Sequence, residues 1–211
     1  MKARPPTAKA KPLKRPTQAR AKFTVQAIFD ALVRIWQRDG WARLTTRAVA
    51  LETGISVGTL YDYFPNKTAL LSGYVRHCID TLLHAIEQQA VLPANLTWQQ
   101  RIHQLVRLTC GVNAPELPWF HPDMLMLEAQ IAEAKHHRRV DEELTASWRR
   151  VLDACTDLPH QPTLGTVRAL HLALWGGRRY ALLLRLDPAQ MDEWATEMER
   201  CCCAAVQGPT P

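Results

Sequence analysis

The apolar residues of the chain repeat at the spacing of α-helices. In the first strongly patterned segment they fall at intervals of three and four and form one stripe: Val25, Ile28, Phe29, Leu32, Val33 and Trp36. Thr24 can cap this helix and Gly40 can end it, because a hydroxyl accepts hydrogen bonds from free backbone N–H groups and glycine tolerates a positive φ. No segment alternates apolar and polar residues as a half-exposed β-strand does. The pattern predicts an all-α fold.

Proline residues mark the limits of the later helices, since proline inside a helix costs about 3 kcal/mol. Asn66 is the predicted cap of a helix that runs from Lys67 to about Gln89. Five further helices are predicted over residues 97–112, 122–135, 138–157, 163–186 and 188–206. Leu and Ala, at 27 residues each against 19 for Val and Ile together, also favour helix over strand.

Two short helices joined by a glycine turn are predicted between residues 46 and 64. The first begins at Thr46 and stops at Gly54, because glycine permits the positive φ of a sharp turn. Ser56 caps the second helix and Pro65 closes it. This is the spacing of a helix-turn-helix, whose second helix is presented to the major groove of DNA. An ordinary helical hairpin is the alternative.

The positive charge of the chain is concentrated at its N-terminus. Residues 1–22 hold eight Lys or Arg and no acid, so subtracting eight from the net charge of +6 leaves −2 for the other 189 residues. Four prolines in the same stretch predict a disordered basic arm. The arm is either a nucleic-acid-binding extension or a solubilising tail.

Residues 24–71 resemble the DNA-binding domain of the TetR (tetracycline-repressor-like) family of bacterial regulators. The resemblance rests on motifs at matched spacing: Asp39-Gly40, Leu44-Thr45-Thr46, Gly54-Ile55-Ser56, Gly58-Thr59-Leu60-Tyr61, Phe64, Asn66-Lys67 and Leu70-Leu71. It implies a three-helix helix-turn-helix domain at residues 23–71. It also implies a larger helical domain at 72–206 that dimerises and binds a small-molecule effector, followed by a tail at 207–211.

The resemblance nominates eight residues as DNA-facing: Thr46, Arg47, Val57, Gly58, Thr59, Tyr61, Tyr63 and Lys67. Thr46 and Lys67 open helices, where free N–H groups attract phosphate, and the threonine and tyrosine hydroxyls can donate to phosphate oxygens. Gly58 allows close approach to the groove, and Val57 can pack on a thymine methyl. Arg47 can reach guanine with both arms of its guanidinium. For each residue the alternative is a solvated surface position.

Candidate effector-binding residues in the larger domain are mostly aromatic: His103, Phe120, Trp148, His171 and Trp175. A cavity built from them predicts a largely apolar or aromatic effector held by one or two hydrogen bonds. A packed corner of the core is the alternative.

By the same resemblance, the last two helices pair with those of a second subunit. The apolar stripe at Met191, Trp194 and Met198 is the candidate dimer seam. The alternative is that this stripe completes the core of the monomer.

Catalytic and metal-binding patterns are missing from the sequence. It contains no G-x-S-x-G, H-E-x-x-H, P-loop or G-x-G-x-x-G motif. Cys201, Cys202 and Cys203 point about 100° apart around a helix and cannot converge on one ion. We therefore expect no enzyme activity, cofactor or metal. The longest apolar run, six residues at 201–206, is too short to cross a bilayer, which predicts a cytoplasmic protein without a membrane partner.

Together these patterns predict a ligand-responsive repressor that binds a palindromic operator as a homodimer and is nucleoid-associated when bound. One alternative is an all-helical small-molecule-binding protein or enzyme with a vestigial helix-turn-helix. The intact set of DNA-facing residues counts against it. A second alternative is a general nucleic-acid-packaging protein, which a basic charge confined to one arm disfavours.

Overall fold

The computed structural model describes residues 19–207, which form helices and no β-strand. The first four helices are α1 (Ala19–Arg43), α2 (Thr46–Thr53), α3 (Val57–Tyr63) and α4 (Lys67–Ile86). The later ones are α5 (Trp98–Cys110), α6 (Asp123–Met126), α7 (Glu128–Ile131), α8 (Ala134–Asp153), α9 (Leu164–Leu183) and α10 (Pro188–Gln207). The predicted all-α fold is confirmed. None of these described helices is long and apolar enough to span a membrane.

The chain divides into two compact units. Of the described residues, the first unit holds 19–77 and 128–132, and the second holds 78–127 and 133–207. The first unit therefore continues past the predicted boundary at residue 71 and takes in α7. Helix α4 is continuous, with its start in the first unit and its end in the second.

Helix α1 begins earlier than the sequence predicts. It starts at Ala19, so residues 19–22 of the predicted arm are helical, while residues 1–18 of the arm lie outside the described part of the chain. The predicted cap at Thr24 is wrong, because this residue lies inside the helix and its Oγ1 donates to the carbonyl oxygen of Arg20 at 3.0 Å. At Gly40, φ is 75° and ψ is 168°, and this non-helical geometry kinks α1 before its last turn.

The apolar stripe of α1 forms the centre of the first unit's core. Ile28, Leu32 and Phe29 are all buried. The ring centroid of Phe29 lies 5.7 Å from that of Phe64 and 5.5 Å from that of Tyr74. Aromatic pairs at these separations add specific attraction to their buried area. Helices α1, α3 and α4 therefore share one apolar centre.

The predicted cap at Asn66 is confirmed, and α5 and α10 also begin at capping side chains. Oδ1 of Asn66 accepts from the backbone N–H of Ala69 at 2.8 Å at the start of α4. Thr97 forms a capping box with Gln100 at the start of α5. Asp187 accepts from the first backbone N–H groups of α10. Each bond satisfies a donor that the helix itself leaves without an acceptor.

The predicted helix from Lys67 to about Gln89 is α-helical only as far as Ile86. A π-helical turn at Glu87–Val91 continues it. The guanidinium of Arg101, a buried residue of α5, donates to the carbonyl oxygens of Ala90, Val91 and Pro93 at 2.7, 2.9 and 2.6 Å. These bonds hold carbonyl groups that would otherwise be left without donors at the end of the helix. A contact with the next helix, α5, thus stabilises the end of this helix.

The single helix predicted at residues 122–135 is wrong. The structure has two short helices, α6 and α7, with Leu127 between them, and α8 starts already at Ala134. The backbone N–H of Leu127 bonds to the carbonyl of Met124 at 3.2 Å, which is a tighter turn than an α-helix makes. Residues 128–132, which contain α7, are assigned to the first unit, whereas α6 and α8 belong to the second.

The second unit has its own core, in which α5, α8, α9 and α10 meet. Its buried side chains include Ile102, Leu105, Trp148, Val151, Leu174, Ala195 and Cys202. Trp194 of α10 packs onto α9 at Gly177, where an added Cβ would lie 2.6 Å from Cζ2 of the indole. The glycine therefore provides the space that the indole ring occupies.

We expect Gly177→Ala to destabilise the protein by about 1–3 kcal/mol, because the added methyl overlaps the packed ring of Trp194. Gly165→Ala is the matched control on the same helix, since its Cβ would meet only Thr163 Oγ1 at an ordinary 3.6 Å. The control should be neutral or stabilising by up to about 1 kcal/mol, because alanine is the better helix former. Denaturant unfolding of both variants measures this, and equal midpoints would contradict the packing described.

Candidate nucleic-acid interface

The turn between α2 and α3 sets the direction in which the second helix leaves the first. Gly54 adopts a left-handed conformation, with φ 75° and ψ 21°, at the end of α2. In this conformation the backbone N–H of Ile55 reaches the carbonyl oxygen of Ala50 at 3.1 Å. A residue with a Cβ is strained at this φ. The predicted role of Gly54 in a sharp turn is confirmed.

Helix α3 buries one face and presents the other. Oγ of Ser56 caps it by accepting from the backbone N–H of Thr59 at 3.0 Å, as predicted. Leu60 and Phe64 are buried, so they anchor the helix in the core of the first unit. The remaining positions are exposed or half-buried, and they include Val57, Gly58, Thr59, Tyr61 and Tyr63 of the predicted DNA-facing set.

The opening of α2 lies beside this exposed face. Oγ1 of Thr46 and the hydroxyl of Tyr61 are 3.2 Å apart and share a hydrogen bond. Tyr61 is 44% exposed, so its hydroxyl remains open to a further partner. Arg47 is exposed and forms no ion pair or hydrogen bond with any described residue. The structure therefore brings Thr46, Arg47 and Tyr61 to one polar surface.

Two cations of α1 are paired with carboxylates. Glu52 of α2 accepts from Arg34 at 2.9 Å and from Arg38 at 3.2 Å, both on α1, and Arg38 also pairs with Asp39. The hydrogen bond from Arg34 and the pairing with Arg38 lower the pKa of Glu52, although burial opposes this shift. Exposed pairs of this kind contribute little to stability. Their main effect is to orient α1 on α2.

Lys67, also predicted to face DNA, is engaged within the domain. Its ammonium lies 3.9 Å from the ring centroid of Trp41 and donates to the carbonyl oxygen of the same residue. Burial lowers the pKa of Lys67. The side chain thus stabilises the turn that follows Gly40 through its contacts with Trp41. A contact between Lys67 and phosphate remains a prediction.

An open depression lies at the start of α3, between it and α1. Its lining residues are Arg20, Ala21, Thr24, Ile55, Ser56, Thr59 and Tyr63. The sequence analysis placed Arg20 in the arm. It therefore missed that Arg20 lies on a helix next to the exposed face of α3. The signal was available, because residues 17–64 contain no proline and a helix can therefore begin well before Thr24.

The predicted effector residues are spread over the second unit. Trp148 is fully buried in its core. His171 is also buried, with Nε2 3.4 Å from Oδ1 of Asp141, and burial lowers its pKa. Nδ1 of His103 lies 2.8 Å from Oε2 of Glu199 near the surface. The rings of Phe120 and Trp175 both lie next to the guanidinium of Arg178. The sequence analysis did not identify Arg178 as a candidate.

The predicted dimer residues face their own subunit. Met191, Trp194 and Met198 are half-buried and pack against the core of the second unit. The apolar side chains that the unit leaves exposed lie mostly on α9 instead, and Leu172, Tyr180 and Leu183 are 50%, 64% and 43% exposed.

Comparison with known proteins agrees with the geometry of the first unit. Residues 28–73 match the family model for bacterial regulatory proteins of the tetR family. The nucleoid occlusion factor SlmA of Haemophilus influenzae (strain PittGG) is 31% identical over 83 residues, which are 39% of this chain and 37% of that protein. SlmA of Marinomonas sp. (strain MWYL1) is 30% identical over 124 residues, or 59% of each. The matches thus span less than two thirds of these relatives.

Solved structures share the fold over most of the chain. A TetR transcription regulator from Haloarcula marismortui superposes with a TM-score of 0.59 at 21% identity, covering 85% of this chain and 98% of that one. A TetR/AcrR-family regulator from Thermobifida fusca does so with a TM-score of 0.61 at 18% identity, covering 89% and 98%. At these identities the likeness shows the fold alone.

We expect Lys67→Ala and Arg47→Ala to separate structural from DNA-contacting cations. Lys67→Ala should lower the stability of the protein by about 1–2 kcal/mol, since it removes a cation–π contact and a hydrogen bond to Trp41. Arg47→Ala should leave stability unchanged and relax the base preference in DNA selection. Thermal unfolding and selection from random DNA measure both effects. A loss of stability in the Arg47 variant alone would reverse these roles.

Proposed function

We propose that this chain, whose helix-turn-helix domain belongs to the tetR family of bacterial regulatory proteins, is a dimeric transcriptional repressor of the bacterial cytoplasm. It binds a palindromic operator and releases it when a small molecule binds the second unit. The observation that carries the proposal is the exposed polar face of α2 and α3. Its hydroxyls and Arg47, which has no ion pair with a described residue, can meet DNA, while Arg34 and Arg38 are paired with Glu52.

The contacts divide into two kinds. The hydroxyls of Thr46, Thr59 and the tyrosines of α3 suit phosphate oxygens, which fix register and carry no sequence information. Arg47 and Val57 suit base edges in the major groove. The cations of residues 1–18 add a salt-dependent attraction to the phosphate backbone.

A palindromic operator requires two copies of the recognition helix at a fixed separation. The exposed face of α9 supports a two-fold contact between copies. Its outer residues, at helical spacing, are Ala169, Leu172, Ala173, Gly176, Tyr180 and Leu183. Small residues at its centre allow close approach, and the large apolar ones around them supply area to bury.

Effector binding in the second unit, at residues among His103, Phe120, Trp148, His171 and Trp175, is coupled to DNA binding in this proposal. Helix α4 is continuous from the first unit into the second and is the element through which a shift can pass. By linkage the coupling is reciprocal, so operator must weaken effector binding by the factor by which effector weakens operator binding.

A second candidate comes from the curated relatives. The match to the Marinomonas nucleoid occlusion factor extends over 124 residues, well beyond the length of a helix-turn-helix. On this alternative the chain binds DNA to act in nucleoid occlusion and needs no effector. Deleting the gene separates the two roles, since a repressor changes specific transcripts and an occlusion factor changes where division occurs relative to the nucleoid.

The full chain should enrich a palindromic sequence from random DNA, with half-site centres about 34–36 Å or a multiple of that apart. Footprinting then gives the protected bases. Tyr61→Phe should weaken binding at every site without changing the enriched sequence, because its hydroxyl meets phosphate. Asp62→Asn is the matched neighbour and should not weaken binding, since it removes a like charge from the same exposed face. If selection enriches no sequence, the proposed regulator is wrong.

For the dimer, we expect Leu172→Glu combined with Tyr180→Glu to yield folded monomers, because the contact between copies would then bury unpaired charges. Met126→Glu is the control, since Met126 is 72% exposed outside that face, and it should remain dimeric. Trp194→Glu should instead lower thermal stability, as its ring packs on Gly177 of the same subunit. Sedimentation velocity measures assembly, and a dimeric double variant would place the seam elsewhere.

A further inference from the structure

Arg178 lies on the inner side of α9 without an anionic partner. The buried residues of this helix recur at intervals of three and four, as Val167, His171, Leu174 and Ala181. Position 178 continues that series, so Arg178 lies on the face of α9 whose other side chains are buried in the core. Its Nε is buried and has no hydrogen-bond partner among the described residues.

Two aromatic rings flank this guanidinium. Cζ of Arg178 lies 5.4 Å from the ring centroid of Phe120 and 5.5 Å from that of Trp175. Both distances are within the range of cation–π attraction. Phe120 belongs to the connection between α5 and α6, and Trp175 lies one turn before Arg178 on α9. The rings orient the guanidinium and do not neutralise it.

Several arginines of the second unit have carboxylate partners, which Arg178 lacks among the described residues. Arg150 pairs with Glu87 at 3.0 Å, and Arg185 pairs with Asp123 at 3.0 Å. Around Arg178 the titratable neighbours are the thiols of Cys110 and Cys78 and the cation of Arg179. Burial raises the pKa of Cys110 to about 12, so this thiol carries no negative charge at neutral pH.

An unpaired cation in an apolar surrounding is costly, and arginine cannot escape the cost by losing its proton at neutral pH. Burial lowers the pKa of Arg178, which expresses the same cost. A methionine or leucine would fill the position without it. The arrangement becomes favourable when an anion arrives, because the planar guanidinium binds a carboxylate through two parallel hydrogen bonds.

We propose that Arg178 anchors an organic carboxylate, whose apolar or aromatic body lies against Phe120 and Trp175. This inference rests on the proposed function and specifies its effector. The sequence predicts a largely apolar effector held by one or two hydrogen bonds. The effector proposed here is instead an amphiphilic anion held by one charged pair. His103 and Trp148 then play no direct part in recognition.

Isothermal titration of the full chain without DNA tests the site. The probes are benzoate, 2-naphthoate and decanoate, each compared with its own neutral primary amide, and inorganic phosphate. At least one carboxylate should bind with one site per chain and at least about tenfold more tightly than its amide, since a charge-assisted pair is lost in the amide. Phosphate should bind more weakly than that carboxylate, because it has no apolar body to place against the rings.

Variants of Arg178 locate the binding. Arg178→Met should lower the affinity for the carboxylate by about tenfold to a hundredfold and should keep or raise thermal stability, since it removes a half-buried, unpaired charge whose Nε is buried. Arg178→Lys should retain part of the affinity. Arg200→Gln is the control, because Arg200 is exposed on α10 and paired with Glu197, and it should bind as the wild type does.

The proposal is overturned if no carboxylate of the panel binds more tightly than its amide, or if Arg178→Met binds the carboxylate unchanged. The proposal is also contradicted if Arg178→Met folds but loses more thermal stability, relative to wild type, than Arg200→Gln does. This titration contains no DNA, so its result is independent of DNA selection. A chain that selects an operator but shows no preference for carboxylates refutes the anion site and leaves the regulator standing. The reverse result refutes the regulator alone.

Discussion

The left-handed turn at Gly54 is the constraint on which the DNA-facing surface depends. It ends α2 three residues before α3 begins, and α3 packs with Leu60 and Phe64 buried. Once those two side chains are buried, the 100° step of the helix dictates that Gly58, Thr59 and Tyr61 lie toward solvent. A residue with a Cβ at this turn would strain the backbone and change the angle at which α3 is presented.

The arrangement of charges follows from the same packing. Arg34 and Arg38 pair with Glu52 across α1 and α2, and Lys67 is held by Trp41, so these cations contribute to the fold more than to a partner. Arg47 and Arg178 are different. Each lacks an ion pair among the described residues, one on the recognition surface and one inside the second unit. Each can therefore take an anion as a partner, Arg47 at the exposed face of α2 and Arg178 between two aromatic rings.

Different faces of helix α9 make different contacts. Its inner stripe at Val167, Leu174 and Ala181 fills the core of the second unit. Gly177 admits the indole of Trp194, which ties α10 to it. The outer face is left apolar, with Tyr180 64% exposed, as a contact between two copies requires. The proposed contact between copies, the core packing and the proposed anion site therefore all involve the same helix.

The sequence by itself determined the local features of this protein. The caps at Ser56 and Asn66, the turn at Gly54 and the inward face of α3 depend on residues within about one helical turn, where spacing alone is decisive. The tertiary structure decided what depends on distant partners. Hydrogen bonds from Arg101 hold the carbonyl groups at the end of the helix that α4 begins. A tight turn at Leu127 separates α6 from α7. Packing against α9 places the ring of Trp194 on Gly177, while the outer face of α9 stays exposed. Periodicity shows that a helix has an apolar face, but which surface that face meets is a property of long-range packing.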